Sequence, residues 1–378
     1  MWEEAVGALA CPRCAGTLTV RVIRDERPTR TEAGGEAGAP ARRWIETGVL
    51  SCAACRCVYP LYRGVPMLLR YPTPLAQHAA QAWPAEVHAA LAADGFAFSG
   101  DAAPKGEQFV SASFSTEWQS YEYGETLWTA PTADRLRTFR GECGLKDGDL
   151  RGKRFCEIGC GLGILTNEAA SGLGAEAWGM DLSTSVFRAA ARFKANPRVH
   201  FVQASIFSPP FTAQQFDFVY SHGVLHHTWS TREAVRRAAE LVRPGGGLYV
   251  WLYGYEDVRV SLLRRLVFAL EAVSRPLIAR LPPRLATLAL LPTVPAYQLA
   301  SLVGRRLGTH GATYSPEQAL HAARDRFTPL FAHRHEFSEV ANWYADIGLR
   351  NVHKVAGAEV SPTWAQAIER NVAIRGRR

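Results

Sequence analysis

The sequence lacks a block of like charge. Its formal net charge of +8, from 43 Lys and Arg against 35 Asp and Glu, is spread over many arginines along the 378 residues. A chain that follows a nucleic-acid backbone carries a dense basic stripe, so we expect no nucleic-acid partner. The first residues, Met1-Trp2-Glu3-Glu4, also lack the basic segment and apolar run of a secretory signal, which predicts a cytoplasmic protein.

One stretch approaches the length of a membrane span. Leu285–Val303 has 19 residues without a charged side chain, and a span needs about 20 predominantly apolar residues. Pro292 and Pro295 interrupt the stretch, and Thr, Tyr and Gln dilute it. We therefore predict two short buried or interfacial helices here and no transmembrane span.

Four of the eight cysteines form two C-x-x-C pairs, Cys11 with Cys14 and Cys52 with Cys55. Two such turns place four thiolates around one Zn²⁺, and an intracellular setting disfavours disulfides. Four thiolates leave no open position for a water molecule, so the zinc is predicted to be structural. Cys57 either replaces one of these ligands or is a spectator, and we prefer the spectator interpretation.

A glycine turn follows the short apolar strand that begins at Arg154. Gly159, Gly161 and Gly163 stand at alternate positions, and the residues from Ile164 onward are typical of a helix. Glycines let the backbone turn tightly and approach a ligand, which predicts the first half of a nucleotide-binding crevice. A dinucleotide fingerprint would place its third glycine one position later. Glu157 also suits a cationic ligand better than a pyrophosphate.

Strands alternate with helices after this turn. The second strand ends at Asp181, the third at Ser205 and the fourth at His222, and a fifth covers Leu248–Tyr253. This alternation predicts an α/β protein with a parallel sheet covered on both faces. A carboxylate at the end of the second strand is placed to accept both hydroxyls of a ribose.

These residues resemble class I S-adenosylmethionine (SAM) methyltransferases. The resemblance rests on the 157–163 loop, Asp181, Asp217, "GVLHHT" at 223–228 and "LVRPGGGL" at 241–248. It implies a doubly wound, seven-stranded, Rossmann-like methyltransferase sheet that binds SAM. The alternative is a doubly wound domain that binds another nucleotide or none. The cofactor contacts that the resemblance implies are Glu157, Gly159, Cys160, Gly161, Gly163, Asp181, Leu182, Ser205, Ile206 and His222.

Two residues or motifs of the family pattern are absent from this chain, one that binds adenine and one that methylates base amines. Many relatives carry an Asp after the third strand that accepts the adenine amino proton, whereas this chain has Ser205. Ser205 keeps a hydrogen bond but loses the charge-assisted one, at a cost of ~1 kcal/mol. No Asn/Asp-Pro-Pro-aromatic tetrapeptide follows the fourth strand, which disfavours methylation of exocyclic base amines by that device.

The residues from Cys52 to Pro66 resemble the small zinc-ribbon proteins that bind methyltransferases, here fused to the chain. We predict five parts. They are a zinc ribbon (1–72), a connector with cofactor-covering helices (73–150), a SAM-binding core (151–253), a helical insertion (254–330) and a C-terminal completion of the sheet (331–378).

Histidines supply the candidate catalytic groups. His226 follows the fourth strand, and His335 lies with Arg326 and His333 in a segment predicted to face the crevice if the insertion folds over it. A histidine there can act as a general base, because its pKa lies near the working pH. A structural "HHT" turn is the favoured alternative for His226, since relatives with different substrates share a similar turn.

The insertion alternates apolar residues with arginines over Leu262–Leu270 and Leu277–Leu291, a pattern typical of amphipathic helices. It would serve as a substrate cover, a dimer surface or a peripheral membrane contact. Beyond it we predict a helix at Ser338–Ile347 with Ser338 as N-cap, and strands at Arg350–Ala356 and Ala365–Ile374.

The sequence thus predicts a SAM-dependent methyltransferase with a structural zinc. Its acceptor would be an oxygen or nitrogen atom of a small or carrier-linked metabolite. Two alternatives stay open. One is an rRNA or tRNA methyltransferase, and the other is a non-catalytic scaffold that docks a partner through the ribbon. The protein could form a homodimer under each of these three hypotheses.

Overall fold

The structure of the chain, a computed structural model, describes residues 1–26, 43–120, 126–127, 130–255, 262–306 and 313–378. The strands are β1 (Thr19–Glu26), β2 (Trp44–Cys52), β3 (Cys57–Tyr62), β4 (Val65–Leu68), β5 (Thr126–Leu127), β6 (Ala130–Pro131), β7 (Arg154–Ile158), β8 (Glu176–Asp181), β9 (Val199–Ala204), β10 (Phe216–His222), β11 (Val242–Leu252), β12 (Arg350–Lys354) and β13 (Val372–Arg377). Residues 27–42, between β1 and β2, lie outside the described residues.

The α-helices are α1 (Pro74–Gln81), α2 (Ala85–Ala93), α3 (Glu107–Ser120), α4 (Thr132–Cys143), α5 (Ile164–Ser171), α6 (Ser185–Arg192), α7 (Thr231–Glu240), α8 (Leu262–Ile278), α9 (Pro283–Leu290), α10 (Val294–Arg306), α11 (Pro316–Phe327), α12 (Phe337–Asp346) and α13 (Pro362–Arg370). Short 3₁₀ helices cover Glu3–Ala8, Leu225–His227, Leu291–Thr293 and Gly357–Glu359.

The chain divides into two compact units. The first unit contains Met1–Pro104, Asp147–Tyr220 and Arg237–Gly247. The second contains Lys105–Lys146, Ser221–Arg236 and Leu248–Arg378. The five-part division inferred from the sequence stays a prediction.

A mixed sheet organises the first unit, with the strand order β1-β2-β3-β4-β9-β8-β7-β10. The strands β1 to β4 are antiparallel, and the pairs from β4 to β10 are parallel. Every residue of β9 is buried, as expected for a parallel strand covered on both faces. Helices α5 and α6 pack on this part of the sheet. The predicted doubly wound α/β class is confirmed.

The ribbon is joined to the parallel sheet through β4. Met67 lies opposite Gln203 and Leu68 opposite Ala204, in a parallel ladder between β4 and β9. Met67 also packs against Ala76 and Ala79 of α1. The last ribbon strand therefore supports the core strand that leads to Ser205, an arrangement that the sequence patterns did not predict.

In the second unit the strand order is β11-β13-β12, and β12 pairs with β13 antiparallel. The predicted strand at Ala365–Ile374 is wrong, because the chain is helical over α13 and extended only from Val372. Pro362 at the first helical position, directly after Ser361, was the helix-start signal in the sequence.

The N-cap predicted at Ser338 is also wrong. Helix α12 begins at Phe337, one residue earlier than predicted, and its N-cap is Glu336, with φ −93° and ψ 148°. The boundary error is small, and the predicted helix itself is present.

The described part of the predicted insertion is helical over α8, α9, α10 and α11. Helix α8 continues to Ile278, beyond the predicted end at Leu270. By length and composition alone, Pro283–Arg306 could cross a membrane, a test that the core helix of a soluble protein also passes. The buried residues in this stretch are few, namely Ala286, Leu290, Ser301 and Gly304.

Candidate functional site

The glycine turn lies between β7 and α5 in the first unit. Gly159, Gly161 and Gly163 have φ values of +77°, +52° and +72°, a left-handed backbone that favours glycine. A Cβ atom on Gly163 would lie 2.5 Å from the ring of Phe201. The Gly159 amide donates a hydrogen bond to the Met180 carbonyl at 2.7 Å, which ties the turn to β8.

Asp181 closes the turn from the end of β8. Its Oδ2 accepts a hydrogen bond from the Gly161 amide at 2.8 Å, and its Oδ1 accepts from the amide and hydroxyl of Ser183 at 2.8 and 2.7 Å. Burial raises the pKa of Asp181, and these hydrogen bonds oppose that rise. The Leu182 amide, next in the chain, also favours the ionised form of the carboxylate.

Glu157 is buried at the carboxyl end of β7. The hydroxyl of Thr166, on α5, donates a hydrogen bond to Glu157 Oε2 at 2.5 Å. Cys160 is buried within the turn, and burial raises the pKa of its thiol. Two buried carboxylates, Glu157 and Asp181, thus flank a glycine turn. Such a site suits a ligand that carries both positive charge and hydroxyl groups.

The neighbouring loops carry the other predicted cofactor residues. Ser205 is buried after β9, and its hydroxyl accepts a hydrogen bond from the Phe207 amide at 3.1 Å. Ile206 is buried between them. The carbonyl of Leu182 accepts a hydrogen bond from the Gln203 side chain at 3.2 Å, which links the ends of β8 and β9. The structure thus places Leu182 directly after Asp181 at the end of β8, and Ser205 and Ile206 directly after the adjacent strand β9.

The four paired cysteines meet in one cluster. Cys11 Sγ lies 3.5 Å from Cys55 Sγ, and Cys14 Sγ lies 3.5 Å from Cys52 Sγ. All four sulfur atoms lie within 4.8 Å of one another. Tetrahedral Zn²⁺ with bonds of about 2.3 Å needs sulfur atoms about 3.8 Å apart, so the cluster fits the ion.

The surroundings of the cluster also suit a metal-bound thiolate. The Tyr59 hydroxyl lies 3.3 Å from Cys11 Sγ, and a hydrogen bond to a ligand sulfur holds its orientation. A Cβ atom on Gly16 would come within 3.1 Å of Cys52 Sγ. Cys57 lies outside the cluster, where its thiol receives a hydrogen bond from the Arg13 guanidinium at 3.4 Å. This placement agrees with the spectator interpretation.

His222 lies in the second unit, within a buried polar group. Its Nδ1 is 2.8 Å from Glu142 Oε1, and Arg135 pairs with the other oxygen of Glu142 at 3.0 Å. The His222 ring stacks on Trp251 with centroids 4.6 Å apart. Burial lowers the pKa of His222, although the Glu142 carboxylate opposes this. Its predicted role as a cofactor contact stays a prediction.

His226 lies in the 3₁₀ turn after β10 and is fully buried. Its ring lies 3.9 Å from the ring of Tyr253, centroid to centroid. Neither of its ring nitrogens has a hydrogen-bond partner among the described residues. Burial lowers the pKa of His226 well below its ordinary value, so the imidazole is neutral. A buried histidine without a partner indicates a contact with water or a ligand.

His227, next to it, has a structural environment. Its Nδ1 lies 2.7 Å from the Phe331 carbonyl, and burial lowers its pKa to about 3. Phe114 of α3 packs edge-on against His227, with centroids 5.3 Å apart. Helix α3 therefore packs on the "HHT" turn, whereas the predicted role of the 73–150 helices in covering the cofactor stays a prediction.

His335 has a carboxylate beside one ring nitrogen, while its other ring nitrogen has no partner among the described residues. Its Nδ1 lies 3.1 Å from Glu339 Oε2, and its Nε2 is buried without a partner among the described residues. Its backbone amide donates to the Tyr253 carbonyl at 2.9 Å. Tyr253 therefore brings His226 and His335 to one place in the second unit. His333 lies beside them, with Nε2 3.0 Å from the Thr228 carbonyl.

A hydrogen bond that no sequence pattern indicated joins Tyr253 to Asp325. The Tyr253 hydroxyl donates a hydrogen bond to Asp325 Oδ2 at 3.1 Å. Burial raises the pKa of Asp325 to about 6, while the Tyr253 hydroxyl and neighbouring guanidinium groups oppose the rise. The two residues are 72 positions apart, so no local motif could have identified them.

Glu271 was missed as well. It is buried and interacts with three guanidinium groups, those of Arg275, Arg326 and Arg334. The Arg326 Nε atom lies 2.5 Å from Glu271 Oε2. Arg326 belongs to the segment predicted to face the crevice if the insertion folds over it, and the structure places its side chain in this ion-pair group.

A family model described as a methyltransferase domain matches residues 156–250, which contain the glycine turn, Asp181 and the "HHT" turn. Residues 156–250 are thus a methyltransferase domain, and the predicted resemblance to class I SAM-dependent methyltransferases is confirmed for this part of the chain.

Relatives match the same part of the chain. The ubiquinone biosynthesis O-methyltransferase of Aromatoleum aromaticum is 36% identical over 109 residues, which cover 28% of this chain and 45% of that protein. The tRNA U34 carboxymethyltransferase of Idiomarina loihiensis is 33% identical over 106 residues, which cover 26% and 32%. The chain thus spans less than half the length of these relatives.

Among solved structures, phosphoethanolamine N-methyltransferase 2 of Haemonchus contortus, bound to phosphomonomethylethanolamine and S-adenosylhomocysteine, is similar with a TM-score of 0.41 and 14% identity. That match covers 73% of this chain and 61% of the other.

Proposed function

We propose that the chain is a SAM-dependent O-methyltransferase that acts on a hydroxyl group of a small or carrier-linked metabolite. The observation that carries the proposal is the glycine turn closed by Asp181 and flanked by Glu157, within the methyltransferase domain. The choice of oxygen follows the relatives named as O-methyltransferases of ubiquinone biosynthesis.

SAM, when bound, supplies a methyl group activated by its sulfonium centre, so positioning provides most of the rate. In the first unit, the backbone of the glycine turn and Glu157 would hold the amino-acid end of the cofactor. Asp181, at the end of β8, would accept a hydrogen bond from a ribose hydroxyl. Ser205 and Ile206 would line the adenine site.

In the second unit, His335 is the proposed general base for the acceptor hydroxyl. Its Nε2 would take the proton, while Glu339 at Nδ1 fixes the tautomer and stabilises the imidazolium. His226 is a weaker candidate, because burial lowers its pKa further and it has no orienting carboxylate. We therefore assign His226 to the wall of the acceptor site.

Methylation of RNA is the second candidate function, because one relative is named as a tRNA U34 carboxymethyltransferase. The exposed arginines of the insertion stand among exposed leucines, which is unlike the polar basic surface that follows a phosphate backbone. The zinc site has four thiolate ligands and no open position, so we assign it a structural role.

The test measures transfer of labelled methyl from SAM to two kinds of acceptor, a bacterial small-molecule extract and purified total RNA, at about 150 mM salt. The proposal predicts label in the small-molecule fraction, and analysis of the product should locate it on oxygen. Label in RNA alone, or on nitrogen alone, would contradict it.

Replacement of His335 tests the proposed base. His335→Gln should lower kcat by about 100-fold, the scale of general-base catalysis, while SAM binding is retained. The matched control is His353→Gln, because His353 also contacts a glutamate, Glu359 at 2.7 Å, but is exposed. If both variants have the same kcat as the parent, His335 is not the base and has only a structural role.

A further inference from the structure

The helical insertion of the second unit exposes most of the protein's outward-facing apolar side chains. Of 15 large apolar side chains that are exposed among the described residues, 11 lie between Leu266 and Val303 and are 39–73% exposed. They are Leu266, Leu270, Val273, Leu277, Leu281, Leu285, Leu288, Leu291, Leu299, Leu302 and Val303. We call these 11 residues the leucine surface. Scattered apolar residues need no explanation, but a concentrated patch marks an interaction site.

Helix α8 turns its apolar face outward and its polar face toward the rest of the unit. Leu266, Leu270, Val273 and Leu277 follow the spacing of one helix face, and that face is turned outward. The polar residue Glu271, on another face of α8, is only 4% exposed. A surface helix of a soluble protein normally buries its apolar face, so the polarity of α8 is inverted.

The inward polar face is held by specific pairs. Glu271 interacts with Arg275 of the same helix and with Arg326 and Arg334 elsewhere in the unit. The Arg334 guanidinium also lies 4.1 Å from the Phe268 ring centroid. Rotation of α8 to bury its leucines would break this group and leave buried charges unpaired, a costly outcome. The outward orientation of the leucines is therefore fixed.

The charge around the leucine surface has one sign. Between Leu262 and Arg306 the sequence contains seven arginines and a single acidic residue, the buried Glu271. The arginines that are exposed in this range are Arg265, Arg280, Arg284, Arg305 and Arg306. Apolar side chains bordered by cationic ones are typical of helices that lie in the interface of an anionic bilayer.

Contacts within the unit favour a helix that lies on the bilayer over one that crosses it. The Arg324 guanidinium of α11 bonds to the Thr287 hydroxyl of α9 at 2.5 Å. Ser301 of α10 accepts a hydrogen bond from the Tyr314 amide at 2.9 Å. These contacts hold α9 and α10 against the rest of the unit along their polar sides, whereas a span would expose those sides to lipid.

We propose that the leucine surface and its bordering arginines dock the protein on a membrane that contains anionic phospholipid. The leucines enter the boundary between headgroups and acyl chains, and the arginines contact the headgroup phosphates. This inference is independent of the proposed reaction, because it uses neither the glycine turn nor His335.

The test is co-sedimentation of the full chain with vesicles of phosphatidylcholine alone or mixed with phosphatidylglycerol. We expect binding to the mixed vesicles that is at least about tenfold stronger than to phosphatidylcholine, and weaker at high salt. The variant Leu270→Ser/Leu277→Ser should lose at least about tenfold of that binding, because two large apolar side chains no longer enter the bilayer. Val352→Ser is the control, because Val352 is exposed on β12, outside the leucine surface.

Three results would overturn the proposal. The chain could stay in the supernatant with both kinds of vesicle. It could be a dimer in solution that dissociates in the leucine variant, which would make the surface an interface between copies. It could also resist release by alkaline carbonate, as a membrane span does. Unchanged SAM binding in the leucine variant would show that the variant is folded.

Discussion

Asp181 is the residue through which the account can be tested most quantitatively. Its carboxylate accepts hydrogen bonds from the Gly161 amide and from the amide and hydroxyl of Ser183, and it is the proposed acceptor for a ribose hydroxyl. Hydrogen bonds to charged groups contribute about 1.5–3 kcal/mol. Asp181→Ala should therefore weaken SAM binding by about 10- to 150-fold, at about 1.4 kcal/mol for each factor of ten.

Part of the effect acts through the turn itself. Without the carboxylate the Gly161 amide loses its acceptor, so the free energy of unfolding should also fall by about 1–3 kcal/mol. Asp181→Asn separates the two effects, because it keeps one acceptor oxygen but loses the charge.

The assay is titration calorimetry with SAM and S-adenosylhomocysteine, with a parallel denaturant titration. The matched control is Asp217→Asn, because Asp217 accepts a hydrogen bond from the Arg154 amide at the opposite end of β7. Equal SAM affinity for Asp181→Ala and the parent would refute the reasoning, since the ribose would then have another partner.

Two further predictions concern the zinc and pH. Cys55→Ser should remove the single Zn²⁺, measured by elemental analysis, and weaken SAM binding through β4 and β9, whereas Cys57→Ser should retain both. A stoichiometric metal content in Cys55→Ser would contradict this. The pKa of His227 is lowered to about 3, so below pH 6.5 the unfolded state binds the proton more strongly and stability falls as the pH drops. Between pH 7 and pH 5, His227→Gln should lose about 2 kcal/mol less stability than the parent, measured by urea unfolding, and an equal loss would contradict this.

The features that the sequence predicted well depend on residues that are close together in the chain. The three glycines were identified because each needs a left-handed backbone in a tight turn, and the structure gives all three positive φ values. The zinc cluster was predicted because C-x-x-C spacing alone sets the geometry of each ligand pair. Asp181 was placed correctly at the end of its strand, although its bonds to the glycine turn were not foreseen.

Contacts between distant residues explain what was missed. The Tyr253–Asp325 pair depends on how α11 packs, which no periodicity encodes. The same holds for Glu271 and Arg326, which are 55 positions apart. The amphipathic pattern of α8 was recognised, but the sequence could not show which face turns outward, because that depends on the partners of Glu271.

The central claim is that the glycine turn between β7 and α5 holds SAM. Hydrogen exchange followed by mass spectrometry, with and without S-adenosylhomocysteine, measures the amides of this turn directly. We predict that peptides covering residues 156–166 become protected on binding, together with peptides that contain Asp181. Binding that leaves these peptides unprotected, and protects other parts of the chain instead, would contradict the account.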